Sequence, residues 1–179
     1  MARPKKTSEQ LETIREKILD TALAILQENG PEAITIRAIA ERMDVAHMSL
    51  YTYFESQSAI LRALSQREMA KWRVKQQVFQ QRAETEDTLQ VVEDLLRFFM
   101  DFAHQNPNLY RMAWVMPEVG AETSAESRQR MQATVSYLAD LLTIGMERGV
   151  FILREPFLAA GTVLAMVNTP SEVWTKDRT

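Results

Sequence analysis

The chain has 179 residues, of which 46% are hydrophobic and 25% charged, and its formal net charge at pH 7 is −3. This composition indicates a folded, soluble protein with a substantial core. Cysteine is absent, which excludes disulfides and thiolate zinc sites, and the two histidines, His47 and His104, are too few for a multi-histidine metal site. We therefore expect no cofactor and no metal, and by default a cytoplasmic location.

The apolar segments are too short to cross a membrane. The longest, FLAAGTVLAMV at residues 157–167, has eleven residues, whereas a spanning helix needs roughly 20. The basic N-terminal segment MARPKKTSEQ is followed by amphipathic sequence, unlike a secretory signal. We expect no membrane partner.

The first predicted helix shows the pattern that favours an all-α fold. Apolar residues recur at spacings of three and four from Leu11 to Ile25, which places them on one helical stripe. Thr7 and Gln10 have the spacing of a capping box at its start. Asn29-Gly30-Pro31 ends it, because glycine accepts a left-handed conformation and proline cannot continue the helix.

Further helices follow with short connections. Two short helices are predicted at about 36–43, after an N-cap at Thr35, and at about 46–53. Longer ones follow from Ser56 to roughly Gln81 and at 88–105, with a short helix between Pro107 and Pro117. The last two are predicted at about 125–148, up to Gly149, and from Pro156, with an interruption at Thr169-Pro170. The stretches RAETEDT and VGAETSAES are predicted connections.

Residues Ile36 to Phe54 have the spacing of a helix-turn-helix. A small residue, Ala40, stands where the two helices would cross, and Asp44 stands in the turn, where it tolerates the left-handed region with modest strain. The residues expected to lock the two helices together are Ile39, Ala40, Met43, Val45, Leu50 and Tyr53. A packed helical hairpin without DNA affinity would show the same spacing.

The segment from Arg15 to Leu64 resembles the N-terminal domain of the TetR/AcrR family of transcriptional regulators. The resemblance covers the Asn29-Gly30 stop, the helix start at Thr35, the helix-turn-helix and the run LYTYF that ends at Phe54. It implies an all-α homodimeric repressor that binds a palindromic double-stranded operator and releases it when a small, largely apolar molecule enters the C-terminal part. Residues 1–57 would then be the DNA-binding domain with a basic arm, and residues 58–179 the helical effector-binding and dimerisation domain.

Three positions depart from the family pattern. Asp44 replaces a turn glycine, and Ala46 replaces a capping hydroxyl, which typically costs about 1 kcal/mol. Gln57 stands where the family has a lysine near a phosphate. Residues 1–57 also carry seven cations against nine acids.

The candidate DNA contacts follow from the resemblance and from side-chain chemistry. His47, Met48 and Ser49 lie toward base edges, and Tyr51 and Thr35 match phosphate anchors. The full set is Lys5, Lys6, Thr35, Arg37, His47, Met48, Ser49, Tyr51, Thr52 and Gln57. The alternative for each is ordinary solvated surface.

A cluster of aromatic and methionine side chains between residues 98 and 116 suggests an apolar pocket, because methionine adapts to ligand shape. The candidate ligand residues are Phe98, Phe102, Met112, Trp114 and Tyr137. The same stripe would serve equally as core. Small residues in the last two helices, such as Gly145 and Gly161, suit a two-fold helical interface, although packing within one chain would look identical.

Two other functions remain open. The departures at Ala46 and Gln57 would suit a binding or adaptor protein whose helix-turn-helix has lost useful DNA affinity. A helical enzyme has less support, because the sequence contains no recognisable nucleophile motif, phosphate loop or metal cluster.

Overall fold

The computed structural model describes residues 7–115, 124–152 and 155–168. Its α-helices are α1 (Ser8–Asn29), α2 (Ile36–Arg42), α3 (His47–Leu50), α4 (Gln57–Thr85), α5 (Thr88–Gln105), α6 (Pro107–Tyr110), α7 (Ser124–Glu147) and α8 (Pro156–Asn168). A 3₁₀ turn (Pro31–Ala33) follows α1, and a π-helical turn (Arg111–Val115) follows α6. These ranges contain no strand, so the predicted all-α class is confirmed. The arm with Lys5 and Lys6, the stop at Pro117 and the break at Thr169-Pro170 lie outside the described residues.

The first helix begins and ends as predicted. The Gln10 backbone N–H donates to Thr7 Oγ1 at 3.2 Å, and the Thr7 N–H donates to Gln10 Oε1 at 3.0 Å, which completes the capping box. Gly30 follows with φ of +86°. Because these signals lie within a few residues of each other, they could be read from the sequence alone.

The predicted end of α4 at Gln81 is wrong, because the helix continues to Thr85. Arg82 pairs with Glu86 one turn later and with Asp94 of α5 at 2.7 Å. Arg148 donates to the backbone oxygens of Glu84 and Glu86. These tertiary contacts satisfy the last carbonyls of the helix, so a polar stretch that reads as a connection remains helical.

The third helix is shorter than the predicted 46–53 range. It covers four residues, and the backbone N–H groups of Thr52 and Tyr53 bond three residues back, to Ser49 at 3.3 Å and Leu50 at 2.9 Å. Ala46 precedes this helix with no side-chain cap. An uncapped start and a tightened end leave one regular turn between them.

The buried residues form two clusters. The first fills the N-terminal head between α1, α2, α3 and the start of α4, and it also contains Leu109 and Met112 from the α6 region. The second lies between the end of α4, α5, α7 and α8. The head core is therefore completed by residues that lie far from it in sequence.

A charged network on the surface fixes α4 against α1. Arg67 donates to Glu16 at 2.9 Å and to Asp20 at 2.8 Å, both on α1, and to its neighbour Glu68 at 3.1 Å. Lys71 also pairs with Glu68. Because these groups hold α4 at its first half, the long helix extends from the head in a defined direction.

The end of α7 contains a close approach that requires glycine. A Cβ on Gly145 would lie 2.3 Å from the Phe151 ring, which folds back over the helix. The chain reverses there through hydrogen bonds from the N–H groups of Val150 and Phe151 to the Gly145 carbonyl, with Gly149 at φ of +70°.

We expect Gly145→Ala to lower the free energy of unfolding by roughly 1 kcal/mol, because overpacking costs about 1–3 kcal/mol and outweighs the helix preference of alanine, about 1 kcal/mol. Urea denaturation would measure the change. In a Phe151→Ala background the same substitution should instead stabilise the protein. An equal loss in both backgrounds would remove Phe151 as the cause.

Candidate nucleic-acid interface and cavity

The helix-turn-helix is held by a small set of buried side chains. Ile39, Ala40 and Leu50 are almost fully buried, and Met43 and Tyr53 pack against the same core. Asp44 has φ of +53°, which confirms the expected left-handed turn. The remaining predicted lock residue, Val45, is 41% exposed and does not join the head core, so that prediction is wrong. The left-handed turn directs its side chain outward.

The exposed side of α3 and the following turn carries five of the candidate DNA contacts. His47, Met48, Ser49, Tyr51 and Thr52 are all exposed, and Met48 is 65% and Tyr51 47% exposed. This side of the head is therefore accessible to a partner molecule.

Two contacts from α1 support this surface from behind. Phe54 is buried in the head core, and the Arg15 guanidinium lies 4.2 Å from the centre of its ring. Arg15 also donates to the Tyr53 backbone oxygen. The turn after α3 is therefore fixed to α1 by a cation–π contact and a hydrogen bond.

The other candidate DNA residues lie at helix starts. Thr35 Oγ1 accepts from the Ala38 N–H at 3.0 Å, which confirms the predicted N-cap, and a hydroxyl that accepts there still has its own proton to donate to a phosphate. Arg37 is exposed on α2, and Gln57 is exposed as the first residue of α4. All of these lie in the head, together with the α3 surface.

Arg42, at the end of α2, is engaged within the head. Its guanidinium forms two hydrogen bonds with the Glu28 carboxylate, one of them 2.6 Å long. This pairing lowers the pKa of Glu28 and raises that of Arg42. A phosphate would have to compete with Glu28 for Arg42.

A cavity of about 600 Å³ lies between α4, the π-helical turn, α7 and α8. Its volume falls in the range of small-molecule sites. The lining side chains that are polar or charged are Arg62, Ser65, Gln66, Arg73, Gln76, Glu126, Gln129 and Thr134. The apolar ones include Met69, Trp72, Trp114, Met131, Val135 and Leu164.

The predicted ligand residues are distributed over several environments. Trp114 lines the cavity. Tyr137 lines a small adjoining space of about 20 Å³ and donates to the Gln76 backbone oxygen at 2.9 Å, and burial raises the pKa of its hydroxyl. Met112 is fully buried in the head core, and Phe98 and Phe102 pack around Trp72.

The aromatic side chains form a packed cluster. Trp72 stacks on Phe98, with ring centres 5.6 Å apart and planes 18° apart, and meets Phe102 and Trp114 at steeper angles. Trp114 stacks on Tyr110 at 5.6 Å. Most of the aromatic stripe is therefore core, which the sequence left as an alternative. The buried Trp72 Nε1 has no hydrogen-bond partner among the described residues.

Sequence reasoning missed the α4 wall of the cavity. Its members Arg62, Ser65, Met69, Trp72 and Gln76 recur at spacings of three and four, so they share one face of the helix. Because that face mixes polar and apolar residues, it looks like ordinary solvated surface. The available sign of a cavity wall in the sequence was Trp72, the single tryptophan of a mostly polar helix.

The segment at residues 107–115 contacts both the head and the cavity. Asn108 donates to the Gln27 backbone oxygen at 3.1 Å, and Arg111 pairs with Glu32 at 3.1 Å. Leu109 and Met112 are buried in the head core. Trp114, two residues later, lines the cavity. A change at the cavity wall therefore has a short packed route to the head.

The described ranges contain neither a metal-ligand cluster nor a membrane-spanning helix. No group of three or more His, Cys, Asp or Glu side chains there could hold a metal ion. None of the helices there is long and apolar enough to cross a bilayer.

Comparison with known proteins gives a family model and several relatives that match the N-terminal part of the chain. Residues 18–64 match the family model for bacterial regulatory proteins of the tetR family. The HTH-type transcriptional repressor KstR of Mycolicibacterium smegmatis is 51% identical over 47 residues, which are 26% of this chain and 23% of that protein. The tetracycline repressor protein class C of Escherichia coli is 40% identical over 52 residues, which are 29% of this chain and 24% of that protein. This chain thus spans about a quarter of the length of these relatives.

The fold is similar over a longer range. A crystal structure of a TetR-family transcriptional regulator from Agrobacterium tumefaciens superimposes with a TM-score of 0.77 at 16% identity, covering 94% of this chain and 90% of that chain. The similarity therefore extends beyond the head to the C-terminal helices.

We expect Ala46→Ser to raise the free energy of unfolding by about 0.5–1 kcal/mol, because Ala46 has the extended N-cap conformation, φ −63° and ψ 131°, without a side-chain acceptor for the first turn of α3. Thermal and urea unfolding without DNA would measure the gain. Ala46→Val is the matched control, since valine cannot cap and should give no gain. Equal stability of the serine and valine variants would show that α3 does not need a cap.

Proposed function

We propose that the chain is a transcriptional repressor of the TetR family that binds a palindromic operator as a homodimer and responds to a small molecule. The observation that carries the proposal is the exposed α3 surface, with Met48 and Tyr51, fixed on a buried lock of Ile39, Ala40 and Leu50. In this function residues 1–57 bind DNA, and residues 58–179 bind the effector and the second copy.

In the proposed complex α3 lies in the major groove. His47 and Ser49 offer hydrogen bonds to base edges, and Met48 offers an apolar contact to a thymine methyl group. Tyr51 and Thr35 donate to phosphates, and the basic arm with Lys5 and Lys6 follows the backbone. Thr52, Arg37 and Gln57 complete the contact surface.

The electrostatic attraction to DNA is weak in this proposal. The head is net negative, and Glu28 already pairs with Arg42. Since phosphate neutralisation supplies most non-specific affinity, the arm and the dimer must contribute much of the binding. Two heads would reach half-sites about one helical turn, roughly 34 Å, apart.

A second copy of the chain is the proposed partner of α7 and α8. Exposed apolar side chains on α8 include Leu158 at 71%, Met166 at 66% and Phe157 at 51%. A soluble protein rarely leaves such a group uncovered. The small residues considered earlier have other neighbours within the chain: Gly145 packs on Phe151, Ala160 is buried, and Gly161 lines the cavity.

The effector would act through the segment at residues 107–115. A ligand against Trp114 shifts the π-helical turn, and Leu109 and Met112 carry the shift into the head core. The two heads of the dimer would then no longer match the operator spacing. We propose no catalytic role, and a cytoplasmic location.

We expect Tyr51→Phe to weaken binding to operator and random DNA alike by several-fold, because a phosphate contact carries no sequence information. His47→Ala should instead change the ratio between operator and random DNA. Binding would be measured by fluorescence anisotropy at several salt concentrations, with duplexes from the gene's own upstream region and scrambled duplexes of equal length.

The matched control for these variants is Tyr53→Phe, since Tyr53 is partly buried behind the same surface. It should leave DNA affinity unchanged. If the parent protein never prefers any upstream duplex over the scrambled ones, the adaptor function is favoured and the repressor proposal fails.

We expect Leu158→Glu to convert the dimer to a monomer, because a charge in the middle of an apolar interface leaves an unpaired buried ion. Light scattering at micromolar concentration would measure the mass. Leu89→Glu is the control, since Leu89 is also an exposed leucine, at 45%, but lies on α5. A parent protein that is already monomeric, or a Leu158→Glu variant that remains dimeric, would contradict the proposed interface.

A further inference from the structure

The cavity carries an excess of positive charge. Its charged lining residues in the described ranges are Arg62 and Arg73 from α4 and Glu126 from α7. Two guanidinium groups against one carboxylate favour an anionic ligand over a neutral or cationic one, and guanidinium geometry suits a carboxylate in particular.

The two arginines are not equivalent. Arg62 is half-buried near the start of α4, and Ser65, one turn later on the same wall, is only 2% exposed. Arg73 is exposed. Because an ion pair is stronger where water is partly excluded, the Arg62 end is the better anion site. A guanidinium has five donors, so Arg62 can bind an anion alongside its contacts within the protein.

The aromatic walls do not form a cage for a cation. A cation needs an open ring face, but Trp72 stacks on Phe98 and Trp114 stacks on Tyr110. Edge contacts from neighbouring rings surround both tryptophans. The tryptophans therefore contribute apolar surface to the cavity.

The polar and apolar parts of the cavity extend along α4. Arg62 and Trp72 are ten residues apart, which corresponds to about 15 Å of helix. Met69, Trp114 and Leu164 contribute apolar surface to the same cavity. A ligand with a charged head and an apolar chain of comparable length would match this lining.

We propose that the effector is an amphipathic carboxylic acid whose carboxylate binds Arg62 beside Ser65, and whose apolar chain lies along Met69, Trp114 and Leu164. The binding of such an acid is inferred from the cavity alone. Its role as the effector rests on the proposed function. The inference adds a required negative charge to the small, largely apolar effector that the family resemblance implies.

The position of Arg62 also links the ligand to the head. Ile60 and Leu64, on either side of it in α4, are fully buried in the head core. A carboxylate bound at Arg62 pulls on the same helical turn that packs against α1. Trp114 receives the other end of the ligand, so both ends contact elements that reach the head.

The test compares three probes with the same ten-carbon chain: decanoate, 1-decanol and decyltrimethylammonium. Binding to the purified full chain at pH 7.5 would be followed by the fluorescence of the cavity-lining tryptophans, below the concentration at which each probe aggregates. We expect decanoate to bind about tenfold more tightly than either of the others, the effect of one charged hydrogen-bonded contact.

Arg62→Gln should remove this preference by weakening decanoate about tenfold while leaving 1-decanol unchanged. Lys75→Gln, an exposed cation on α4 that does not line the cavity, should behave as the parent protein. Arg73→Gln should have a smaller effect than Arg62→Gln. Circular dichroism melting would establish that each variant is folded.

Several results would overturn the proposal: equal binding of decanoate and 1-decanol, preference for the cation, no binding of any probe, or an equal loss of both probes in folded Arg62→Gln. The assay contains no DNA, so the two proposals fail separately. Selective decanoate binding without any operator preference would refute the repressor and retain the carboxylate site. Operator binding without probe selectivity would do the reverse.

Discussion

Leu109 and Met112 fill the core of a head that begins a hundred residues earlier in the chain, and the rest of the structure depends on this insertion. Both side chains are almost fully buried beside residues of α1, α2 and α4. Deleting a buried leucine or methionine side chain typically costs 2–5 kcal/mol. The head and the segment that touches the cavity are therefore coupled through packing, and neither can move independently of the other at low cost.

Helix α4 provides the second connection. Its first half packs into the head and is held to α1 by Arg67, its middle forms one wall of the cavity, and its end is capped by Arg148. One helix thus passes through the head, the cavity wall and the second core. A rigid element of this length converts a small change of tilt at the cavity into a larger displacement at the head.

The sequence predicted the local features well. The capping box at Thr7, the left-handed turn at Asp44 and the N-cap at Thr35 each depend on residues within one turn of each other, and the structure confirms them. The sequence did not predict the features that depend on contacts between residues far apart in the chain. The extension of α4 to Thr85 depends on Arg148, and the α4 wall of the cavity becomes a wall only when α7 and α8 pack opposite it. Neither partner can be found from spacing.

The exposed position of Val45 has a similar origin. A pattern of apolar residues predicts a face, but the left-handed residue at Asp44 reorients the chain between the two helices, so the periodicity does not continue across the turn. Met48, by contrast, is exposed because it lies opposite Leu50 on the single turn of α3. Helical periodicity predicts orientation reliably only within one helix.

The π-helical turn at residues 111–115 places one residue more in its turn than an α-helix would. With this additional residue in the turn, Met112 enters the head core and Trp114 faces the cavity. Successive helical residues are rotated by about 100°, so removing a single residue here would turn the side chains that follow away from their present sites. In the proposed regulator, loss of one codon in this turn would break the packed connection between the ligand site and the head, a route by which a ligand-responsive protein becomes an unresponsive one.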